Sequence, residues 1–180
     1  MTDVIGAIAQ KWNALGGAGG FGQPQDIERP TFDGAGRAQP FAGGKFIVWH
    51  PEIGAFELHG LIAAKWLALG REQFGYPVTD ETGCPDGRGR FNHFRAMQVV
   101  GDPVASIYWT PTTAAHEVHG AIRDAWARNG FERGPVGYPR SDEHDSSVPG
   151  GRRSDFEHGF IDWTAQHGAM VHGPGPIDDD

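Results

Sequence analysis

The chain has little cysteine, little basic charge and no long apolar run, and each shortage excludes a class of protein. Cys84 is the only cysteine among 180 residues, so no intramolecular disulfide framework can form. No apolar stretch approaches the ~20 residues that a membrane-spanning helix needs. The formal net charge is -8, and no basic run is visible. Because phosphate groups are bound by positive patches, we expect neither nucleic acid nor a membrane as partner.

Recognisable catalytic motifs are also missing. The sequence contains no phosphate-binding Walker loop, no strand-linked GxGxxG and no serine in a nucleophile elbow. Cys84 is near His93 in sequence, but it lies in the turn-like stretch TGCPDG. We therefore expect no cofactor, and a binding protein is favoured over an enzyme.

Tryptophan, in contrast, is arranged in a repeating pattern. One set of three closes the phrases GAIAQKW, GLIAAKW and GAIRDAW, at Trp12, Trp66 and Trp126. The other set closes FIVW, SIYW and FIDW, at Trp49, Trp109 and Trp163. Six copies of a rare residue do not fall in register by chance. The chain therefore consists of three copies of a repeat of roughly 55 to 60 residues, at about 4–59, 60–119 and 120–173.

Each repeat begins with a predicted helix. Ile8, Trp12 and Leu15 are spaced i, i+4 and i+7, which places them on one helix face. The helix phrases stop at Gly16, Gly70 and Gly130, and glycine is the usual residue of a left-handed helix end. The helix-face tryptophans are expected to be core residues.

A turn and a β-hairpin follow each helix. The turn phrases are FGQP, FGYP and VGYP, and each is followed by an acidic step and by a glycine turn. Short apolar stretches around Phe41, Phe94 and Phe156 run to the second tryptophan set, which predicts a hairpin. An extended piece, FELHG, HEVHG or AMVHG, ends the repeat.

The predicted fold is an α+β repeat protein of three helix–turn–β-hairpin units. The first residues, VIG at Val4–Gly6, resemble the VHG at Val171–Gly173, which favours a pseudo-threefold closed, propeller-like array within one domain over residues 1–173. An open solenoid is the alternative. Residues 174–180 are expected to be a disordered tail.

With these phrases the chain resembles the LGFP repeat family. FGQP, FGYPVTDE and VGYPRSDE match the family's Leu-Gly-Phe-Pro type phrase with its acidic step. Members are mostly actinobacterial cell-surface modules, often attached to mycoloyltransferases and hydrolases, and are thought to anchor proteins to cell-wall polysaccharide. The resemblance implies a carbohydrate-binding module outside the cell. No export signal is visible, so a cytoplasmic location is the alternative.

Three sets of repeated residues are candidate ligand contacts, because sugars are bound by aromatic faces and by charged hydrogen-bonding groups. The tryptophans of the second set are candidates for a binding rim. The acids of the repeated step could accept hydrogen bonds from sugar hydroxyls, or they could pair with arginines between repeats. These candidates are Trp49, Trp109 and Trp163, then Glu28, Glu81 and Glu143, with Arg37, Arg90 and Arg153 as the alternative partners.

The third set consists of histidines. His59, His119 and His172 each precede the glycine that opens or would open a helix. In a closed threefold array, equivalent imidazoles would surround one axis, and three imidazoles with an open fourth position are a common zinc arrangement. A tri-histidine metal site is therefore a hypothesis, and the position could equally face outward.

The second repeat carries an insertion. Phe94 and Trp109 are 15 residues apart, against 8 and 7 for the matching pairs, and the extra residues lie near 96–105. The segment predicts a longer hairpin, a lid or an oligomer contact. Two alternatives to glycan binding follow. One is a small enzyme or small-molecule pocket, on the array axis or under this segment, and the other is an assembly protein.

Overall fold

The computed structural model describes residues 1–174, and the remainder of the predicted tail lies outside them. The chain falls into two compact units. The first unit contains residues 1–82 and 92–102, and the second contains residues 83–91 and the chain from 103 onward.

The helices occur where the repeated phrases predict them. They are α1 (Gly6–Ala14), α2 (Gly17–Gly20), α3 (Gly60–Ala68) and α4 (Gly120–Arg128), with 3-10 turns at Arg71–Gln73 and Phe131–Arg133. Gly16, Gly70 and Gly130 follow the three long helices with φ of 97°, 101° and 97°. Because L side chains rarely adopt this left-handed conformation, glycine is required there.

Within residues 1–174, thirteen strands follow the predicted helices and turns. They are β1 (Arg29–Pro30), β2 (Arg37–Phe41), β3 (Lys45–His50), β4 (Gly54–Leu58), β5 (Tyr76–Pro77), β6 (Thr82–Gly83), β7 (Arg90–Arg95), β8 (Val104–Thr110), β9 (Ala114–His119), β10 (His144–Asp145), β11 (Arg152–Phe156), β12 (Gly159–Thr164) and β13 (Gly168–His172).

The strands form three antiparallel sheets. The first unit holds the order β1-β2-β3-β4, and the second unit holds the matching order β10-β11-β12-β13. Of the middle sheet, β5 pairs with β7 in the first unit and β8 pairs with β9 in the second. The predicted hairpins are thereby confirmed as β2–β3 and β11–β12. Within residues 1–174 the sheets do not form a closed barrel.

Each unit has its own apolar core beneath a helix. In the first unit, Ile8 of α1 packs with Phe21, Phe41 and Ile47. In the second unit, Trp126 of α4 belongs to a cluster of ten buried residues that includes Phe156 and Ile161. Burial of these faces, rather than helix propensity, stabilises the nine-residue helices.

The helix-face tryptophans also make a repeated hydrogen bond. Trp66 and Trp126 are fully buried, whereas Trp12 is partly exposed. Their indole nitrogens donate to the glycine carbonyls of the turn phrases, at Gly22, Gly75 and Gly137, over 2.9, 3.0 and 3.1 Å. The first tryptophan set therefore joins each helix to the turn that follows it, as expected for core residues.

A tyrosine of each later turn phrase reaches back to the preceding repeat. In the first unit, the Tyr76 hydroxyl donates to Oδ1 of Asp33 over 2.6 Å. In the second unit, the Tyr138 hydroxyl donates to Oδ1 of Asp86 over 2.7 Å. Asp33 and Asp86 occupy the same place in the glycine turns. Successive repeats are thus joined by a buried tyrosine and a turn carboxylate.

The inserted segment is a loop between β7 and β8 that contacts its own unit. Its Gln98 side chain donates to the Oδ2 atom of Asp33 over 2.8 Å. Val99 is half exposed and Val100 is fully exposed at the tip. The extra residues therefore form a tethered loop rather than extra strand length.

Candidate functional site

Two crevices, one in each unit, are lined by the same positions of the repeat. The first has a volume of about 350 Å³ and is lined by residues 5–8, Glu28, Arg37 and Trp49. The second has a volume of about 290 Å³ and is lined by residues 119–122, Glu143, Arg152 and Trp163. Five of the nine predicted contact residues therefore lie in crevices, namely Trp49, Trp163, Glu28, Glu143 and His119.

Strand pairing brings the tryptophan and the arginine together. Arg37 of β2 lies opposite Trp49 of β3, and Arg152 of β11 lies opposite Trp163 of β12. Directly opposed residues of an antiparallel pair project from the same face of the sheet. Each tryptophan is partly buried against its unit's core and lines the crevice with the rest of its ring.

The crevice acids pair with arginines, but not with all of the predicted ones. Nε of Arg152 lies 2.8 Å from Oε1 of Glu143, and Nε of Arg37 lies 3.9 Å from Oε1 of Glu28. Both pairs lie within one repeat, so the predicted pairing between repeats is wrong for them. The pairing of Glu143 with Arg153 is also wrong, because Arg153 binds Asp155 over 2.6 Å.

The error at Arg153 arises because the three glycine turns have the same length but not the same glycine positions. The turn is closed by a backbone bond from Thr31 to Gly36, and its counterparts run from Cys84 to Gly89 and from Ser146 to Gly151. The residue after Gly36 is Arg37, so its counterpart is Arg152. Gly34 and Gly87 lie three residues before their arginines, whereas the third turn has Pro149 at that position and its glycine one residue later, at Gly150. Three residues after Gly150 is Arg153, one position beyond the true counterpart.

Helix N-termini also line each crevice. Ile5 and His119 occupy the N-cap positions of α1 and α4, and no side chain caps either helix. The first amides of a helix have no acceptor within the helix. The crevices therefore combine a tryptophan ring, an arginine–glutamate pair and backbone amides available to oxygen atoms.

His119 connects the second crevice to a buried carboxylate. Its Nδ1 lies 2.7 Å from Oε2 of Glu117, and its Nε2 lies 3.3 Å from Oε2 of Glu143. The hydrogen bond to Glu117, with the charges of both glutamates, raises the pKa of His119 above its usual value. Because both ring nitrogens face carboxylates, the imidazolium form satisfies the site best.

The same arrangement occurs in the first unit, around His59. Its Nδ1 lies 2.8 Å from Oε2 of Glu57, and its Nε2 lies 3.2 Å from Oε2 of Glu81. Sequence reasoning missed Glu57 and Glu117, which are only 5% and 4% exposed. The signal was a glutamate two residues before each histidine, in FELHG and HEVHG.

His172 does not occupy the position of the other two histidines. Trp49 and Ala55, Trp109 and Ala115, and Trp163 and Ala169 are matching pairs. Counting from these alanines, His59 and His119 match Gly173, whereas His172 matches Leu58 and Val118. A displacement of one residue turns a strand side chain to the other face. His172 accordingly stacks on Phe160 and binds Asp162 over 3.0 Å.

The tri-histidine hypothesis gains no support from this arrangement. Across residues 1–174, no group of three or more His, Cys, Asp or Glu side chains is placed to hold a metal ion. The histidines are instead matched with the carboxylates described above.

The other candidates lie outside the two crevices. Trp109 is on β8 of the second unit, opposite Ala115, and Glu81 is in the first unit beside His59. Cys84 is buried in the second unit, and burial raises the pKa of its thiol to about 11. A thiol that stays protonated at neutral pH is a poor nucleophile.

Comparison with known sequences agrees with the repeated architecture. None of the helices in residues 1–174 has the length and apolar character needed to cross a membrane. No curated protein matches the chain significantly. The sequence model of the LGFP repeat matches three times, at residues 21–73, 74–134 and 136–179. These matches together cover most of the sequence, and the chain therefore belongs to the LGFP repeat family.

Proposed function

We propose that this protein is a carbohydrate-binding module that holds a polysaccharide in its tryptophan crevices. The observation that carries the proposal is the recurrence of one lining, Trp–Arg–Glu with a helix N-terminus, in two separate units. Core packing alone accounts for a buried residue that recurs in each repeat. It does not account for a surface opening that recurs with the same paired charges.

The lining suits a sugar ring. The exposed part of a tryptophan ring offers an apolar face to the C–H groups of a sugar. Glu143 and Arg152 offer an acceptor and a donor that are already fixed by a 2.8 Å bond. Because these side chains are ordered before a ligand arrives, binding loses little conformational entropy.

Two shallow sites favour a polymer over a single sugar. Each crevice holds about 300 Å³, the lower end of the range for small-ligand pockets, so each interaction should be weak. Two weak sites on one chain gain by avidity when the ligand repeats as well. The polymer that the family resemblance implies is a cell-wall polysaccharide.

Co-sedimentation of the intact chain with insoluble cell-wall polysaccharide tests this proposal. The informative variants are Trp49→Ala, Trp163→Ala and the double change, with Val148→Ala as an exposed control. We expect each single variant to bind several-fold more weakly and the double variant to lose about the product of the two factors, because both sites contribute to the same avid complex. Unchanged binding by a folded double variant would contradict the proposal.

The Glu28→Gln and Glu143→Gln variants separate contact from folding. They keep the side-chain volume and remove the charge that pairs with arginine. We expect weaker sedimentation with an unchanged circular dichroism spectrum. If the glutamates only stabilise turns, thermal stability falls and polysaccharide binding by the folded fraction stays constant.

The closed array of three repeats is a further part of the proposal. A third tyrosine link like those of Tyr76 and Tyr138 would need a tyrosine at position 23 and an acceptor at position 148. The sequence has Gln23 and Val148 there, so a closed array would use other contacts. Small-angle scattering distinguishes a closed from an open array.

An assembly role is the second candidate, and the tip of the inserted loop favours it. Val99 is half exposed and Val100 is fully exposed, although a two-residue patch is small for an interface. Replacing both by serine would abolish an oligomer that depends on this loop. Sedimentation velocity of the two forms measures the difference.

A further inference from the structure

The first unit contains a larger cavity that shares no lining residue with either crevice. Its volume is about 460 Å³, within the usual range for small-molecule sites. It lies between the strands β1, β2 and β3 and the turn that follows α3. No residue of the 96–105 segment lines it, so it is not the pocket that the sequence predicted under the insertion.

The cavity is open because the first unit has small or polar residues where the second unit has rings. Ala38 occupies the repeat position of Phe91, because each follows the arginine that ends the glycine turn. Arg71 occupies the position of Phe131, because each follows the glycine at the end of a helix. In the second unit, Phe91 stacks on Tyr108 at 5.0 Å and Phe131 lies 6.3 Å from the same ring. The cavity is therefore a departure of this unit from the repeat.

Arg71 is held in place on one side of the cavity. Its φ is 61°, a left-handed conformation that is uncommon for residues other than glycine. Its guanidinium lies over the rings of Phe46 and Trp66, at 5.4 and 5.5 Å from their centroids. Stacking on two rings fixes the position of this donor before any ligand is present.

Glu72 supplies a buried acceptor beside it. The residue is only 5% exposed, yet its single hydrogen bond among residues 1–174 is a 3.4 Å contact with Arg71. This is long for a hydrogen bond, and an ionised carboxylate can accept several. A ligand with hydroxyl donors would satisfy this group.

The lining of the cavity also contains a second charge pair. Arg29 donates to Oδ2 of Asp26 from both Nε and Nη2, over 3.2 and 2.8 Å. The charged residues of the lining are thus two acids and two arginines, so the lining has no net charge. Between the pairs, Ala38 and Pro40 present apolar surface.

We propose that this cavity binds a small, uncharged polyhydroxyl compound, such as one sugar ring or a cyclic polyol. Hydroxyls donate to Glu72 and accept from Arg71, and C–H groups contact Pro40 and Ala38. Because the two acids and two arginines of the lining are already paired, the lining offers no net charge to offset the desolvation of a charged ligand, so a net charge on the ligand weakens binding. The proposal does not rest on the crevices, which take a polymer.

Amide chemical shifts of the intact chain, titrated with single compounds, test the proposal. The probes are glucose, galactose, arabinose and inositol, with glucuronate and glucosamine as charged counterparts. We expect saturable shifts at residues 26–32, 38–46 and 70–73 with at least one neutral probe, and at least about tenfold weaker binding of glucuronate and glucosamine than of that probe. No saturable shift with any neutral probe, or tighter binding of a charged one, overturns the proposal.

Two variants locate the site. Ala38→Phe with Arg71→Phe imports the residues of the second unit, so a folded protein with a filled cavity is expected. Ala38→Ser is the matched control that keeps the cavity open. We expect the filled variant to lose the neutral-probe shifts, and the control and Trp49→Ala to keep them.

Glu72→Gln is a further variant that does not depend on filling the cavity. Its amide still accepts a hydrogen bond but carries no charge, and we expect binding of the neutral probe to weaken by about tenfold. Binding that persists unchanged in both the filled variant and Glu72→Gln places the ligand elsewhere and overturns the proposal. If the crevice variants lose only polysaccharide binding, the proposal of a small-molecule site in this cavity is unaffected.

Discussion

The hydroxyl of Tyr76 lies 2.6 Å from Oδ1 of Asp33, 43 residues earlier in the chain. Burial would raise the pKa of Asp33, but hydrogen bonds from Tyr76 and Thr31 outweigh it and lower that pKa. Burial and the bond to Asp33 raise the pKa of Tyr76. A neutral tyrosine donating to an ionised aspartate is therefore the stable form of the link between the first two repeats.

Replacing Tyr76 by phenylalanine should destabilise the protein by about 1–3 kcal/mol, because a buried hydrogen bond to a charged acceptor is lost. Urea unfolding followed by tryptophan fluorescence measures the change. Asp33→Asn should cost less, since the amide oxygen still accepts the bond. Equal stability of Tyr76→Phe and wild type would show that the ring alone holds the repeats.

Gly89 should not accept a side chain. A Cβ at this position would lie 2.5 Å from the Tyr138 ring, so Gly89→Ala should cost about 1–3 kcal/mol through overpacking. Gly83 is the control, because its nearest neighbour would be 3.5 Å away at the flexible end of Arg90. Thermal unfolding of both variants compares them, and a similar midpoint for the two would contradict the expectation.

The amide of Gln39 should matter more than the hydroxyl of Ser154, although the two occupy matching strand positions. Gln39 is fully buried and donates to the carbonyls of Asp3 and Asp26 over 3.1 and 2.9 Å. Gln39→Ala leaves both carbonyls unpaired and should cost about 2 kcal/mol or more.

Ser154→Ala provides the comparison for Gln39. The Ser154 hydroxyl is buried without a hydrogen bond within the described residues, so its removal should be neutral or slightly stabilising. Denaturant midpoints decide the order. A larger loss of stability in Ser154→Ala than in Gln39→Ala would mean that an ordered water is hydrogen-bonded to the Ser154 hydroxyl.

Stability should fall as the pH rises through the titration of His119. Its pKa is raised in the folded state above the usual 6.5, so the folded protein binds more protons and the stabilisation is complete only below about pH 6.5. His119→Ile places there the residue that the first repeat has at Ile5. The stability difference between wild type and variant should shrink from pH 6 toward pH 9, measured by urea unfolding at about one-unit steps. A pH-independent difference would refute the role of the imidazolium.

The repeated elements were predictable because their signals are local. Helix spacing with a terminal glycine, as at Trp66 and Gly70, needs only neighbouring residues to be recognised. For Trp49 and Glu28, the sequence predicted only that both belong to the same repeat. That they line one crevice depends on strand pairing and helix packing, which the spacing does not contain.

The errors arose where a single residue changes register. Arg153 and His172 were each matched one position away from the true counterpart, because a turn or strand end in the third repeat differs slightly from the others. The Tyr76–Asp33 link was missed for another reason. Its two residues are 43 positions apart, and no local pattern predicts a long-range contact.

The tyrosine links give the chain an order that cannot be permuted freely. An acceptor turn must precede its donor, and the sequence supplies Asp33 before Tyr76 and Asp86 before Tyr138, with Gln23 at the front and Val148 at the rear. A repeat transplanted to the front would carry a buried phenol with no carboxylate to meet it. The order of such repeats is therefore constrained, because the tyrosine of one repeat requires a turn carboxylate in the repeat before it.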